Sequence, residues 1–103
     1  MKIAVSAQGK TLEALIDPRF GRCAYFFIID VETDDFQVIE NDANSYPSGA
    51  GIKSAGLVVD QGVSAVLTGR VGPKAAQVLE TASIKIYDNV TGTVLEALQQ
   101  FKN

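Results

Sequence analysis

The sequence contains no histidine, no tryptophan and a single cysteine, Cys23. Without histidine the chain lacks the side chain that most often moves protons near neutral pH, so Ser-His-Asp and Cys-His catalytic arrangements are excluded. One cysteine cannot form a disulfide within the chain. Nor can a monomer supply the four Cys and His ligands of a closed zinc site, or the four thiolates of an iron–sulfur cluster. These absences exclude much acid–base catalysis and most metal centres built by protein ligands.

The charge balance and the short apolar runs exclude further classes of function. Nine Lys and Arg against twelve Asp and Glu give a net charge of −3, so bulk attraction to nucleic acid or to an anionic membrane is not expected. The first apolar run, in MKIAVSAQGK, is too short for a signal peptide or a membrane span, and no later run approaches that length. We therefore expect a cytoplasmic protein without nucleic-acid or membrane partners, folded as one domain over residues 1–103.

The hydrophobic pattern predicts strands followed by alternating helices and strands. Strands are predicted at 2–6, 25–31, 36–40, 63–68 and 84–87, and helices at 52–61, at 73–81 and from 93 onward. Residues 33–35 supply a hairpin turn, and 41–51 read as the most mobile loop. Pro73 suits a first helical position, while Thr93 and Glu96 form a capping box. The order βββαβαβα indicates an α/β fold with one mixed sheet and helices on its faces.

A sheet order of 3-2-1-4-5, with strand 2 antiparallel, would gather four loops at one edge. Their sequences are AQGK, FGRC, SGAGIK and GRVGPK. Strands 1 and 4 diverge at that edge, and such a crevice is where open α/β sheets generally bind ligands. We therefore expect a ligand site there.

Positive charge is concentrated in the same loops. Of nine Lys and Arg residues, five lie in or beside three of these loops: Arg19, Arg22, Lys53, Arg70 and Lys74. Two helix N-termini, near Ile52 and Pro73, would add free amides and the positive ends of their dipoles. SGAGIKS does not match the spacing of either nucleotide-binding glycine motif. The pattern predicts an anion site, although glycine and proline at one such turn are also ordinary helix punctuation.

Cys23 allows two interpretations. A cysteine before a run such as YFFII is most often a small buried hydrophobic residue. The alternative is a thiolate stabilised by Arg22, available as one metal ligand or as a redox-sensitive group.

Several segments together resemble the dinitrogenase iron–molybdenum cofactor accessory family, in its small stand-alone form. They are FGRC at 20–23, SGAGIKSAGLVVDQGVSAVLTGRVGPKA at 48–75, IKIYDN at 84–89 and GTVLEAL at 92–98. The resemblance implies a ribonuclease H-like, three-layer α/β/α domain whose five-stranded mixed sheet has the order 3-2-1-4-5. It also implies a carrier or chaperone of metal–sulfur clusters, including iron–molybdenum cofactor and its precursors, as a nitrogenase accessory factor.

A molybdenum- or iron-containing sulfide cluster is anionic and brings its own sulfide ligands. Charge, N–H donors and a fitted cleft can therefore hold it without many protein ligands. The candidates for charge pairing are Arg22, Lys53 and Arg70. The candidate backbone donors are Gly49, Ala50, Gly51, Ile52, Gly69, Arg70, Val71 and Gly72. Cys23 is a candidate single thiolate ligand, and the loop at 42–51 would close over the cargo.

The leading hypothesis is a non-catalytic carrier that exchanges such a cluster with donor and acceptor assembly proteins. The alternative is an interaction or regulatory module without a cofactor, whose cleft engages acidic residues of a partner in an assembly or redox pathway. An enzyme acting on a small phosphorylated or carboxylated substrate has least support, because no histidine, paired carboxylate or activated serine is placed in the cleft.

Overall fold

A computed structural model describes all residues, 1–103, and contains one five-stranded mixed sheet. The strands are β1 (Lys2–Ala7), β2 (Tyr25–Asp30), β3 (Phe36–Glu40), β4 (Ala65–Leu67) and β5 (Lys85–Tyr87). Their order is β3-β2-β1-β4-β5. β2 is antiparallel to β1 and β3, whereas β1, β4 and β5 run parallel. The predicted sheet order and strand directions are confirmed.

The helices are α1 (Ala50–Asp60), α2 (Pro73–Thr81) and α3 (Val94–Lys102), with short 3₁₀ turns at Phe20–Arg22 and Asp42–Ser45. α1 begins two residues earlier than predicted, because Gly49 takes a left-handed φ of 74° and lets the chain enter the helix at once. The capping box of α3 is present: Glu96 N donates to Thr93 Oγ1 at 3.1 Å, and Thr93 N donates to Glu96 Oε1 at 2.9 Å. No helix is long and apolar enough to cross a bilayer.

Helices cover both faces of the sheet, which gives three layers and two apolar cores. On one face, α1 and α2 pack through Ala55, Val58 and Leu79 onto alternate residues of β1, β2 and β4. On the other face, α3 packs through Val94, Ala97 and Leu98 onto the intervening residues of the same strands. The strict alternation along β1, where Ala4 faces one core and Ile3 and Val5 face the other, follows from the two-residue period of a strand.

The segment from Ile16 to Phe20 fills the crevice between the carboxyl ends of β1 and β4. Ile16 bridges to Ala7, and Arg19 forms a parallel bridge with Arg70. Beneath the segment, the hydroxyls of Ser6 and Thr68 lie 2.7 Å apart and join the two strand ends. The crevice in which we expected a ligand site is therefore filled by the chain itself. Space for a ligand at this edge of the sheet lies further out, beyond the segment.

Candidate functional site

The N-termini of α1 and α2 converge on an open groove of about 340 Å³. The groove is lined by Gly49, Gly51, Ile52, Gly72, Pro73, Lys74 and Ala75. Gly51 makes the convergence possible, since a methyl group at this position would lie only 3.3 Å from Cβ of Ala75. The N-termini of two helices that are far apart in the sequence thus line one groove.

Backbone N–H groups are the main hydrogen-bonding resource of this groove. Neither helix has a side-chain cap at its N-terminus, where Gly49 and Gly72 take the capping positions. The amides of Ala50, Gly51, Ile52, Gly72, Lys74 and Ala75 donate no hydrogen bond within the protein. Unpaired first-turn amides and the positive ends of two helix dipoles favour an anion.

The five predicted cations differ in how they are engaged. Arg22 Nη1 donates to the backbone oxygens of Asn44 at 2.9 Å and Tyr46 at 2.6 Å, so this guanidinium holds the loop after β3. Lys53 Nζ lies 5.9 Å from the centre of the Tyr46 ring.

Arg19 Nε lies 3.5 Å from the buried carboxylate of Asp17. Arg70 and Lys74 form no ion pair or side-chain hydrogen bond, and Lys74 lines the groove. These two flank the start of α2 as its free cations.

Two glycines of the predicted motifs serve backbone contact between segments. A methyl group on Gly21 would lie 2.8 Å from Cα of Gly51, and one on Gly69 would lie 2.5 Å from Cα of Pro18. The Phe20–Arg22 turn is also joined to α1 by a hydrogen bond from Ser54 Oγ to the carbonyl of Gly21, at 3.3 Å. Gly21 and Gly69 thus allow neighbouring backbone segments to pack closely, whereas Gly49 and Gly72 remain open to solvent.

Cys23 lies in the core, fully enclosed, and not at the groove. Burial, reinforced by the nearby carboxylate of Asp17, raises the pKa of the Cys23 thiol to about 12. The Sγ atom donates to the carbonyl of Phe20 at 3.4 Å. In this conformation the thiol is neutral, so ligation of a metal by Cys23 would require both deprotonation and displacement of the covering loop.

Asn41, which was not predicted as a site residue, connects the chain at Cys23, the helix α1 and the loop after β3. Its buried amide donates to the carbonyl of Cys23 at 3.0 Å and accepts from Ser54 Oγ at 3.1 Å and from Ala43 N at 3.3 Å. Asn41 also serves as the N-cap of the turn at Asp42–Ser45. An asparagine directly after a strand and before a polar loop is typical of such a turn. This pattern could have identified Asn41 from the sequence.

The structure thus divides the predicted site residues. It brings together Gly49, Gly51, Ile52 and Gly72 at the groove, with Pro73 and Lys74, which were placed at this edge but not among the cluster-binding candidates, and with Ala75, which was missed. Of the remainder, Ala50 and Cys23 are buried, Gly69 and Val71 are partly buried, and Arg22, Lys53 and Arg70 are exposed. No three His, Cys, Asp or Glu side chains lie close enough together to hold a metal ion.

Known proteins share this architecture. The whole chain, residues 1–103, matches the protein family described as dinitrogenase iron-molybdenum cofactor. The apo form of the orange protein from Desulfovibrio gigas superposes with a TM-score of 0.95 and 41% sequence identity, over 98% of this chain and 86% of that one.

Two further proteins are similar at 34% identity. A putative NifB protein from Thermotoga has a TM-score of 0.85, with 98% of this chain and 86% of that chain covered. An uncharacterized protein of Methanocaldococcus jannaschii is identical at 34% of positions over 104 residues, which cover 98% of this chain and 85% of the relative. The chain therefore belongs to the dinitrogenase iron-molybdenum cofactor family.

Proposed function

We propose that this protein is a non-catalytic carrier of an anionic metal–sulfur cluster that contains molybdenum, iron or both. The observation that carries the proposal is the convergence of two uncapped helix N-termini on one groove. Membership of a cofactor-related family indicates the class of cargo. The cluster would be received from a donor protein and passed to an acceptor protein during storage or assembly.

Non-covalent binding suits both the groove and the cargo. Sulfide ligands already satisfy the metals of an assembled cluster, so the protein has only to neutralise charge and donate hydrogen bonds. Free amides of α1 and α2 supply the donors, Lys74 supplies positive charge in the groove, and the exposed Arg70, three residues before α2, would add charge at its rim. Ile52, Pro73 and Ala75 add apolar contact with a large, weakly hydrated sulfide surface. In this binding mode the cluster needs no ligand from Cys23.

The lining also favours carriage over catalysis. Lys74 is the one titratable side chain among the seven lining residues, and no carboxylate, thiol or hydroxyl faces the groove. General acid–base or nucleophilic steps require such a group within hydrogen-bonding reach of the substrate. A groove built from backbone amides and one lysine can hold an anion but offers no agent to transform it.

Arg22 and Lys53 have an indirect part in this proposal. Both contact the loop between β3 and α1, Arg22 through backbone oxygens and Lys53 over the Tyr46 ring. That loop leads through Gly49 directly into the groove. We assign Arg22 to the positioning of the loop that closes over the cargo, and Arg70 and Lys74 to the cargo itself.

Co-elution of a coloured cluster tests the carrier function. Apo-protein is incubated anaerobically with tetrathiomolybdate, alone or with Cu(I) or Fe(II), and passed through gel filtration at low salt. Visible absorbance should travel stoichiometrically with the wild type and be lost from Arg70→Ala/Lys74→Ala. The matched control is Lys2→Ala/Lys85→Ala, which removes the same charge from exposed positions outside the groove and should retain the colour.

A second variant tests the place of binding without a change of charge. Gly72→Leu adds a side chain where an added Cβ meets nothing within 4 Å, so the fold is preserved while the groove is filled. Loss of colour from this variant supports the site. Retention by both groove variants would place the cluster elsewhere. If the wild type retains no colour, the carrier function fails for this cargo, and an interaction module that binds acidic partner residues becomes the better interpretation.

A further inference from the structure

A glycine in the middle of α1 has no structural role within the protein. Gly56 lies in the helix interior with an ordinary helical φ, and a methyl group added there would meet nothing within 4 Å. Glycine at such a position costs about 0.5–1 kcal/mol of stability relative to alanine. Since neither backbone conformation nor internal packing requires it, the missing side chain keeps space open on the outside of the helix.

That space is a groove of about 400 Å³ along the outer face of α1, beside the loop after β3. Two large apolar side chains at its edge are unusually exposed: Tyr46 at 39% and Ile52 at 42%. Leu57 also lines the groove and is half-buried, because it packs in part against the core beneath α1. A glycine in the wall of this groove allows another backbone to approach closely.

Three charged residues line the groove: Lys53 and Asp60 on α1, and Asp42 in the loop after β3. The two charges on α1 are complementary to those of a second, antiparallel α1. Lys53 and Asp60 both line the groove and stand seven residues apart, which is close to two helical turns. Two copies of α1 crossing antiparallel at Gly56 would place Lys53 of each copy opposite Asp60 of the other. A parallel crossing would instead oppose like charges, so the pattern selects one arrangement.

We propose that the outer face of α1 binds a second copy of this chain, as a two-fold symmetric dimer with antiparallel α1 helices crossing at Gly56. Such an interface is isologous, so each apolar or charged contact occurs twice. One 11-residue helix and one short loop form a small surface, which is typical of a weak, concentration-dependent dimer. This face shares Ile52 and the loop of Tyr46 with the proposed cargo site, so dimerisation is tested on apo-protein, where no cluster competes for them.

A charge-reversal experiment tests the arrangement directly. Sedimentation velocity at low salt follows the wild type, Lys53→Asp and Asp60→Lys from about 10 µM to about 1 mM, the range in which small interfaces assemble. In each variant alone two attractive pairs become two repulsive pairs, so dimerisation should weaken by about tenfold or more. An equimolar mixture of the two variants restores both attractive pairs in the heterodimer, and should associate as the wild type does.

Gly56→Leu is the steric test. The added side chain fills the groove and should abolish dimerisation, whereas circular dichroism and thermal unfolding should show a helix at least as stable as in the wild type. Monomeric wild type across the concentration range would overturn the proposal and leave the face to a different protein. Dimerisation that survives Gly56→Leu, or a mixture that behaves like its separate components, would also overturn it.

Discussion

Gly21 lies directly against Gly51: a methyl group on Gly21 would lie 2.8 Å from Cα and 3.0 Å from the amide nitrogen of Gly51. This contact joins the turn at Phe20–Arg22 to the first turn of α1. The contact thereby fixes the position of the Arg22 backbone and the direction of the first amides of α1. A backbone contact between two glycines, far apart in sequence, sets the geometry of the groove.

Gly21→Ala should destabilise the protein by about 1–3 kcal/mol, because the backbone of Gly51 cannot move away without shifting α1. Gly56→Ala is the matched control, with the same added methyl group in open space. It should raise stability by about 0.5–1 kcal/mol through helix propensity. Urea unfolding of both variants measures the two effects, and equal stabilities would contradict this account of the Gly21–Gly51 contact.

Arg22→Ala should loosen the loop after β3 while leaving the sheet intact. The variant loses both hydrogen bonds from Nη1 to the carbonyls of Asn44 and Tyr46. Because the guanidinium is exposed, we expect a local loss of about 1 kcal/mol, or roughly fivefold faster opening. Hydrogen exchange at the bonded amides of Asn44 and Tyr46 reports on this opening. Amides of β1 serve as the control, and accelerated exchange there would indicate global destabilisation instead.

Cys23 should make the protein less stable as the solution becomes alkaline. Burial raises the pKa of the folded thiol from 9.0 to about 12, so between these values the unfolded chain loses a proton that the folded chain keeps. The unfolded state then binds fewer protons, and unfolding free energy falls with pH by up to about 1.4 kcal/mol per unit. The contribution of the buried, neutral thiol to stability is fully present below pH 9.

Chemical denaturation from pH 8 to pH 11 measures this slope, with Cys23→Ala as the control in which the contribution of the thiol is absent. A thiol reagent gives a second readout, since modification of the native protein at pH 8 should be slow and modification in denaturant fast. Rapid labelling of the native state would contradict the enclosed, neutral thiol.

Asn41→Ala should cost about 2–3 kcal/mol, because the carbonyl of Cys23 and the amide of Ala43 lose their buried partner. Asn41→Asp keeps the shape but replaces the donor to that carbonyl with a carboxylate, so it should be at least as destabilising. Thermal unfolding at neutral pH compares the two. Near wild-type stability in both would show that this amide does not hold the loop and α1 together.

Local signals in the sequence were sufficient for most of the fold. The aromatic and β-branched run YFFII, Pro73 at a helix start and the capping box of Thr93 and Glu96 each depend on neighbours only a few residues away. Such patterns predict the elements, and the rules for connecting parallel strands then leave few sheet orders. The order β3-β2-β1-β4-β5 was assumed among these and is also what the family resemblance implies, and the structure confirms it.

The site was harder to predict because it depends on contacts between distant segments. Only the fold shows that Pro18 lies on Gly69 and fills the expected crevice, or that Gly51 meets Ala75. Whether Cys23 is buried or accessible likewise depends on whether the loop at Asn41 covers it. Glycines and cations indicated which loops lie at this edge of the sheet, but the sequence could not distinguish the glycines used for packing from those facing solvent.

The convergence of two helix N-termini on one groove has a consequence for the protein without a bound anion. The N-termini of α1 and α2 carry like partial charges, so their convergence is electrostatically unfavourable when only water lies between them. An anion seated there would turn this repulsion into attraction, and cargo at about 100 times its Kd would add about 2.7 kcal/mol to stability. Melting temperature would then report occupancy even for a colourless anion, and the anion-free protein would be the form more open to proteolysis.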